Sequence, residues 1–279
     1  MHPILFTLFG FEVPSYGVAL VASFLVSAWL LRREAGRMKL DPEKMTDAAV
    51  TGLLWGLIGA KLLLVVVEFP DFLDNPKGFW TLLRSAGVIY GGQIGGALGV
   101  IWFIRRHRLQ FWTTLDTMVP FLALGIGLGR ISCLLAGCCY GAHWDGPLAL
   151  HFPDHPQCSA PADIGLFPVQ PFAILNGIVL FLILRTILRH RQFHGQVLAS
   201  FLGLYGLTRG LLEFARGDSV RGIWLGGTVS TSQLIALCGI VLAVALYQFQ
   251  RRKPFTAEAP AGNATTEKAS PRLAEKKNG

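Results

Sequence analysis

At 279 residues, with 52% hydrophobic and only 15% charged residues, the chain is too apolar for an ordinary soluble domain, where charged residues make up about a quarter. The formal net charge of +8 sits in clusters beside apolar runs, not on a basic face interleaved with aromatics. That pattern excludes a nucleic-acid surface and points to membrane topology and anionic headgroups, with a lipid bilayer as the solvent.

Apolar stretches long enough to cross a ~30 Å hydrocarbon core as helices lie at 14–31, 48–69, 86–104, 115–135, 167–188, 196–214 and 226–249. They predict an all-α polytopic membrane protein of about seven transmembrane helices. No Lys or Arg precedes the first, and Arg32, Arg33, Arg37 and Lys39 follow it, so it reads as a retained helix and not a signal peptide. Basic residues recur in alternate loops: Arg105, Arg106 and Arg108, then Arg185, Arg189 and Arg191, then Arg251, Arg252 and Lys253. The loop 142–166 has none. By the positive-inside rule the N-terminus and the sparse loops lie outside and the C-terminus is cytoplasmic. Residues 1–253 read as one membrane-embedded domain, and 254–279, poor in apolar residues, as a disordered cytoplasmic tail.

Charged groups at bilayer depth are costly and face a bundle interior or a cavity. With this topology, Arg130 near the end of the fourth span and Arg209 and Glu213 in the sixth share the outer level with Tyr16 and Tyr90. Arg209, Glu213 and Arg216 recur at four and three residues, on one helix face. Each has a plain reading alone: an arginine near a span end snorkels to the headgroups, a tyrosine joins the interfacial belt, and Arg216 and Arg221 lie beyond the apolar stretch. Their coincidence at one depth makes a candidate site. Two guanidiniums with little negative charge nearby suit an anion, and phosphate accepts their paired hydrogen bonds well. Gly91, Gly92, Gly95, Gly96 and Gly99, with Gly125 and Gly129, read as scaffold that lets helices approach closely.

Together these residues resemble the prolipoprotein diacylglyceryl transferase family. Its third-span His-Gly-Gly-Leu-Ile-Gly is matched by Tyr90-Gly91-Gly92-Gln93-Ile94-Gly95. Its fourth-span Gly-Arg-Ile-Gly-Asn, continuing to Asn-Gly-Glu-x-x-Gly, is matched by Gly129-Arg130-Ile131-Ser132-Cys133 and by Ala136-Gly137-Cys138-Cys139-Tyr140-Gly141. Its sixth-span Arg-x-x-x-Glu-x-x-Arg is matched by Arg209, Glu213 and Arg216. The stretch from Pro168 to Pro171 resembles its Pro-x-Gln, and Ser230 to Gln233 falls where its last span starts.

The resemblance implies transfer of the diacylglyceryl group of phosphatidylglycerol to the lipobox cysteine of a prolipoprotein signal peptide, forming a thioether and releasing glycerol phosphate. The setting implied is the periplasmic face of the bacterial cytoplasmic (inner) membrane, with no metal or organic cofactor. The implied catalytic residues are Tyr90, Arg130, Arg209 and Glu213, the two arginines holding phosphate and Glu213 orienting Arg209. The implied substrate-binding residues are Tyr16, Lys61, Gly91, Gly92, Gln93, Cys133, Gly141, Gln170 and Arg216. The chain departs from the pattern at Tyr90 (histidine in the family), Cys133 (asparagine), Cys138 (glutamate), Lys61 (arginine) and Ala173 (glutamate). Two rivals remain: a relative with the same lipid site that modifies another acceptor or hydrolyses the lipid, and a non-catalytic lipid-binding or transport protein. The chain shows none of the internal repeats of transporters.

Cys133, Cys138, Cys139 and Cys158 lie at or beyond the outer end of the fourth span, and Cys238 is expected to be buried in the last. In an oxidising periplasm a disulfide from Cys138 or Cys139 to Cys158 is the natural expectation, with the pairing open. His143, His151, His155, Asp145 and Asp154 show no paired-ligand spacing, so 142–166 reads as a solvated loop in preference to a metal site. His151 or His155, folded over the cavity, is a candidate for the base that Tyr90 does not supply.

Overall fold

The computed structural model describes residues 4–8, 11–69, 87–155, 158–217, 223–224 and 229–253. An antiparallel hairpin of β1 (Ile4–Leu8) and β2 (Phe11–Pro14) leads into α1 (Ser15–Arg37). There follow α2 (Pro42–Val67), α3 (Ile89–Arg106), α4 (Phe111–Ala136), α5 (Val169–Arg189) and α6 (Gln196–Phe214). The paired two-residue strands β3 (Ile223–Trp224) and β4 (Val229–Ser230) precede α7 (Thr231–Gln250). Each expected span is thus a helix. Six are long and apolar enough to cross a membrane. The other, α3, has 18 residues, about 27 Å of helix, and its glycines, Gln93 and two terminal arginines dilute its hydropathy. The expected tail 254–279, Arg221, and the starts of two spans at Ala86 and Gly226 lie outside the described residues.

Capping, not hydropathy, sets the helix ends. Asp41 accepts the amides of Glu43 and Lys44 at 3.0 and 3.3 Å, and Pro42 opens the first turn, so α2 begins six residues before its apolar run. The start of α7 is a capping box. Ser230 Oγ accepts the Gln233 amide at 3.2 Å, and the Ser230 amide donates to Gln233 Oε1 at 2.9 Å, satisfying two donors reciprocally.

The helices pack around α4, which lies against α1 and α5, while α6 packs with α7 and α2 with α3. Val119 and Ala123 of α4 meet Leu180, Leu184 and Leu188 of α5 and Val197 and Phe201 of α6. In lipid, apolar burial between helices adds little, and close backbone packing provides the attraction. The α2–α3 seam shows it: a Cβ on Gly95 would strike Trp55 O and lie 3.0 Å from Gly59 Cα. The outward faces stay apolar, as at Leu62, Val66, Leu211 and Leu237. Cys238 is exposed there, contrary to its expected burial.

The arginines at the helix ends and in the loop at one end are also structural. Buried Glu34 accepts Arg185 Nη2 at 2.9 Å and Arg37 Nη1 at 3.2 Å. Asp116, fully buried, takes the amides of Gly195 and Leu198 at 2.8 and 3.1 Å and lies 3.5 Å from Arg191 Nη1. At the opposite end, more than half of the described residues of the loop 142–166 are exposed, as expected of a solvated loop, but one part of it packs. Phe152, Ala160 and Leu166 form a small core against Leu134 and Tyr140, and Trp144 meets Phe167 edge-on.

Candidate active site

The site is built where α4 stops. Gly137 adopts φ +65°, a left-handed cap that glycine takes without steric cost, and the amides of Gly137 and Cys138 both return to the Cys133 carbonyl. The chain thereby doubles back beside the last turn of α4. Further on, Gly141 bridges Arg216 in antiparallel fashion, with Ala142 N donating to Ala215 O at 2.9 Å and Gly217 N to Tyr140 O at 3.2 Å. A side chain on Gly141 would strike Phe167. These backbone bonds fix Arg216, just past the end of α6, against the end of α4.

Between these segments lies a narrow cleft with about 20 Å³ of room, lined by Arg130, Cys139, Gln170, Ala173, Arg209 and Arg216 together with Val169 and Leu212. Glu213, only 2% exposed, accepts Arg209 Nη1 one helical turn away and lies 3.9 Å from Arg216 Nη1. Arg209 Nη2 donates to Ser232 Oγ at 3.0 Å, and that hydroxyl lies 3.5 Å from Tyr90 OH. Among the described residues no carboxylate lies within ion-pair distance of Arg130, whose electrostatic neighbours are Cys133, Cys139, Tyr205 and Arg216. Three guanidiniums against one carboxylate leave the cleft cationic. Gln170, 1% exposed, donates Nε2 to Cys138 O at 3.0 Å, while its Oε1 is buried with no hydrogen-bond partner. Buried acceptors are nearly always satisfied, so this oxygen is available to a donor on a bound molecule.

All five cysteines are free thiols, so the expected bond to Cys158 is not formed. The turn at Gly137 instead gathers Cys133, Cys138 and Cys139, with all three Sγ atoms within 4.8 Å of one another, and Cys158 packs beside Gly137. Hydrogen bonds from the Cys133 and Cys138 thiols, with Arg216 and Arg130 close by, hold the Cys139 thiol well below the usual thiol range, against the opposing effect of burial.

Residues 3–249 match the family model for prolipoprotein diacylglyceryl transferases. The chain belongs to this family. Its relatives include the phosphatidylglycerol–prolipoprotein diacylglyceryl transferase of Clostridium tetani, 32% identical over 254 residues that cover 90% of this chain and 98% of that protein. The second such transferase of Clostridium perfringens is 29% identical, covering 91% and 97%, and that of Sodalis glossinidius 28%, covering 90% and 93%.

The residues named from the family's motifs fall into three groups. Arg130, Gln170, Arg209 and Arg216 line the cleft; Glu213 braces it from behind, and Tyr90 joins it through Ser232. Tyr16 lies within electrostatic range of Arg130 and the three thiols, and Cys133 is one of those thiols. Gly91 and Gly92 form the α2–α3 seam and Gly141 the bridge to Arg216, and Lys61 and Gln93 are not among the residues lining the cleft. The loop histidines are not among the lining residues either; His143 pairs with Asp145 at 3.1 Å. Sequence reasoning missed Ser232 and Cys139 as site residues. The signal for Ser232 was its place between the two capping-box partners, which aims the first turn of α7 at α6.

Proposed function

We propose that the protein transfers the diacylglyceryl group of phosphatidylglycerol to the lipobox cysteine of a prolipoprotein, at the outer face of the bacterial cytoplasmic membrane. The observation that carries this reading is the convergence of Arg130 from α4 with Arg209 and Arg216 from α6 and its end on one cleft. The names of the relatives supply the substrates. In the reaction the cysteine sulfur forms a bond to the glyceryl carbon as the bond from that carbon to the phosphate oxygen breaks. Glycerol phosphate leaves with the bonding electrons, and the thiol proton ends on it or in solvent. The leaving group gathers negative charge as it departs, and fixed guanidiniums stabilise that charge without reorganising.

Within this scheme Arg130 and Arg209 hold the phosphate, Glu213 fixes Arg209 in place, and Gln170 Oε1 accepts a hydrogen bond from the lipid glycerol or the peptide. Tyr90 acts by hydrogen bonding through Ser232, whose hydroxyl also accepts from the Arg209 guanidinium. The apolar outer faces of the helices and the positive-inside pattern support a cleft that opens toward the outer leaflet.

The test is purified protein in nanodiscs with phosphatidylglycerol and a lipobox peptide, following peptide mass and released glycerol phosphate. One diacylglyceryl group gained per peptide, with equal glycerol phosphate, is the expected result. Glycerol phosphate released with the peptide unmodified would replace this reading with lipid hydrolysis, to which the departures at Tyr90 and Cys138 lend some support.

A further inference from the structure

The thiol group at the end of α4 is unexplained by the arginine cleft. Three cysteines, Cys133 from the last turn of α4 and Cys138 and Cys139 from the segment that doubles back, bring their sulfurs within 4.8 Å of one another. Thiolates bound at ~2.3 Å around a tetrahedral zinc ion sit ~3.8 Å apart, so small side-chain rotations close the group on a cation. The surroundings suit the charge: three thiolates around Zn(II) carry a net negative charge, and Arg130 and Arg216 both stand close to Cys139. The backbone bonds of Gly137 and Cys138 to the Cys133 carbonyl preorganise the ligands, and Cys139 itself lines the cleft.

We propose that Cys133, Cys138 and Cys139 bind one Zn(II) ion at the edge of the arginine cleft, with a fourth position open to the acceptor thiol. Three protein ligands leave a tetrahedral ion one position short, which is the pattern of catalytic sites and not of closed structural ones. A thiol that coordinates such a cation is deprotonated outright. The role of the fourth position rests on the transferase reading; the metal site does not. The acceptor sulfhydryl would bind zinc as thiolate and give its proton to solvent. Its sulfur would then form the bond to the glyceryl carbon, and glycerol phosphate would leave as described above. This supplies activation of the nucleophile in a chain where tyrosine stands in place of the family's histidine.

The experiment uses full-length protein in detergent, purified under reducing conditions and stripped of metal with a chelator, then titrated with Zn(II) against a chromophoric competitor and with Co(II) by absorbance. One Zn(II) per chain, and Co(II) bands of sulfur-to-metal charge transfer with tetrahedral geometry, are expected. Cys133→Ser, Cys138→Ser and Cys139→Ser should each lose stoichiometric binding, while Cys158→Ser and Cys238→Ser keep it; all five should elute as the parent does on size exclusion. A lipobox peptide should shift the Co(II) spectrum, and the same peptide with serine for cysteine should not. The proposal is overturned by any of three results: no stoichiometric binding, binding that survives in the three serine variants, or a thiol count showing a disulfide within the group in protein isolated without reductant. Transfer at an undiminished rate by protein with no bound metal would remove the role of the fourth position and leave the transferase reading. Zinc bound without transfer would do the reverse.

Discussion

Arg130 and Arg209 reach the cleft from different helices, and they differ in what surrounds them. Arg209 is held by Glu213 on its own helix and by Ser232 on α7, whereas no carboxylate among the described residues pairs with Arg130. Removing one preorganised donor from a developing oxyanion costs about 10²–10³ in rate, or ~2.7–4 kcal/mol. Arg130→Ala and Arg209→Ala should each lower transfer by about that factor while membrane insertion stays normal; undiminished turnover in both would sink the phosphate role. Tyr90 and Ser232 form one chain of hydroxyls leading to Arg209. Groups that act as a unit are non-additive, so Tyr90→Phe with Ser232→Ala should cost little more than the worse single change. Additive losses in kcat would separate the two residues. Tyr90→His asks in addition whether the family's residue works in this frame.

At the scale of elements, two short signals decide where helices end and therefore what reaches the site. The capping box at Ser230 starts α7 at a point that presents Ser232 to Arg209. Ser230→Ala should cost about 1 kcal/mol and lower activity beyond what unfolding explains, because the first turn carrying Ser232 loosens; detergent-unfolding curves read beside single-turnover rates would tell the two apart. Gly137 ends α4 in a conformation that costs other residues about 1–2 kcal/mol, and a Cβ there would run into Cys158 Sγ. Gly137→Ala should therefore destabilise the protein more than Gly129→Ala, whose nearest neighbour to a new Cβ is Leu20 Cδ1 at 3.8 Å. Equal melting temperatures would show that the turn tolerates a side chain.

The whole molecule is a bundle with two unlike ends. One end carries the buried ion pairs of Glu34 with Arg185 and of Asp116 with Arg191, and the other carries the cleft, the thiols and the small core of Phe152, Ala160 and Leu166. If the positive-inside pattern sets orientation, a single reactive cysteine placed at Asp145, in a variant otherwise free of cysteine, should label with an impermeant maleimide in intact cells. One placed at His107 should label only after permeabilisation. The reverse pattern would put the cleft on the cytoplasmic side and exclude an exported acceptor.

Much of this was readable in one dimension. Hydropathy runs located each helix because bilayer thickness imposes a length on any segment that crosses it, and the ordered motifs around Arg130, Gln170 and Arg209 carried the family resemblance. Depth, too, follows from position along a span, so the sequence by itself could place Arg130, Arg209, Glu213, Tyr16 and Tyr90 at one level. Azimuth does not follow from depth: which faces meet depends on how helices pack. Only the tertiary structure put Gly91 and Gly92 in the α2–α3 seam, linked Tyr90 to Arg209 through Ser232, and packed Phe152, Ala160 and Leu166 into a small core. It also turned Cys138 and Cys139 toward Cys133 and not Cys158, since the left-handed turn at Gly137 reverses the chain within two residues, and no spacing rule for cysteines contains that reversal.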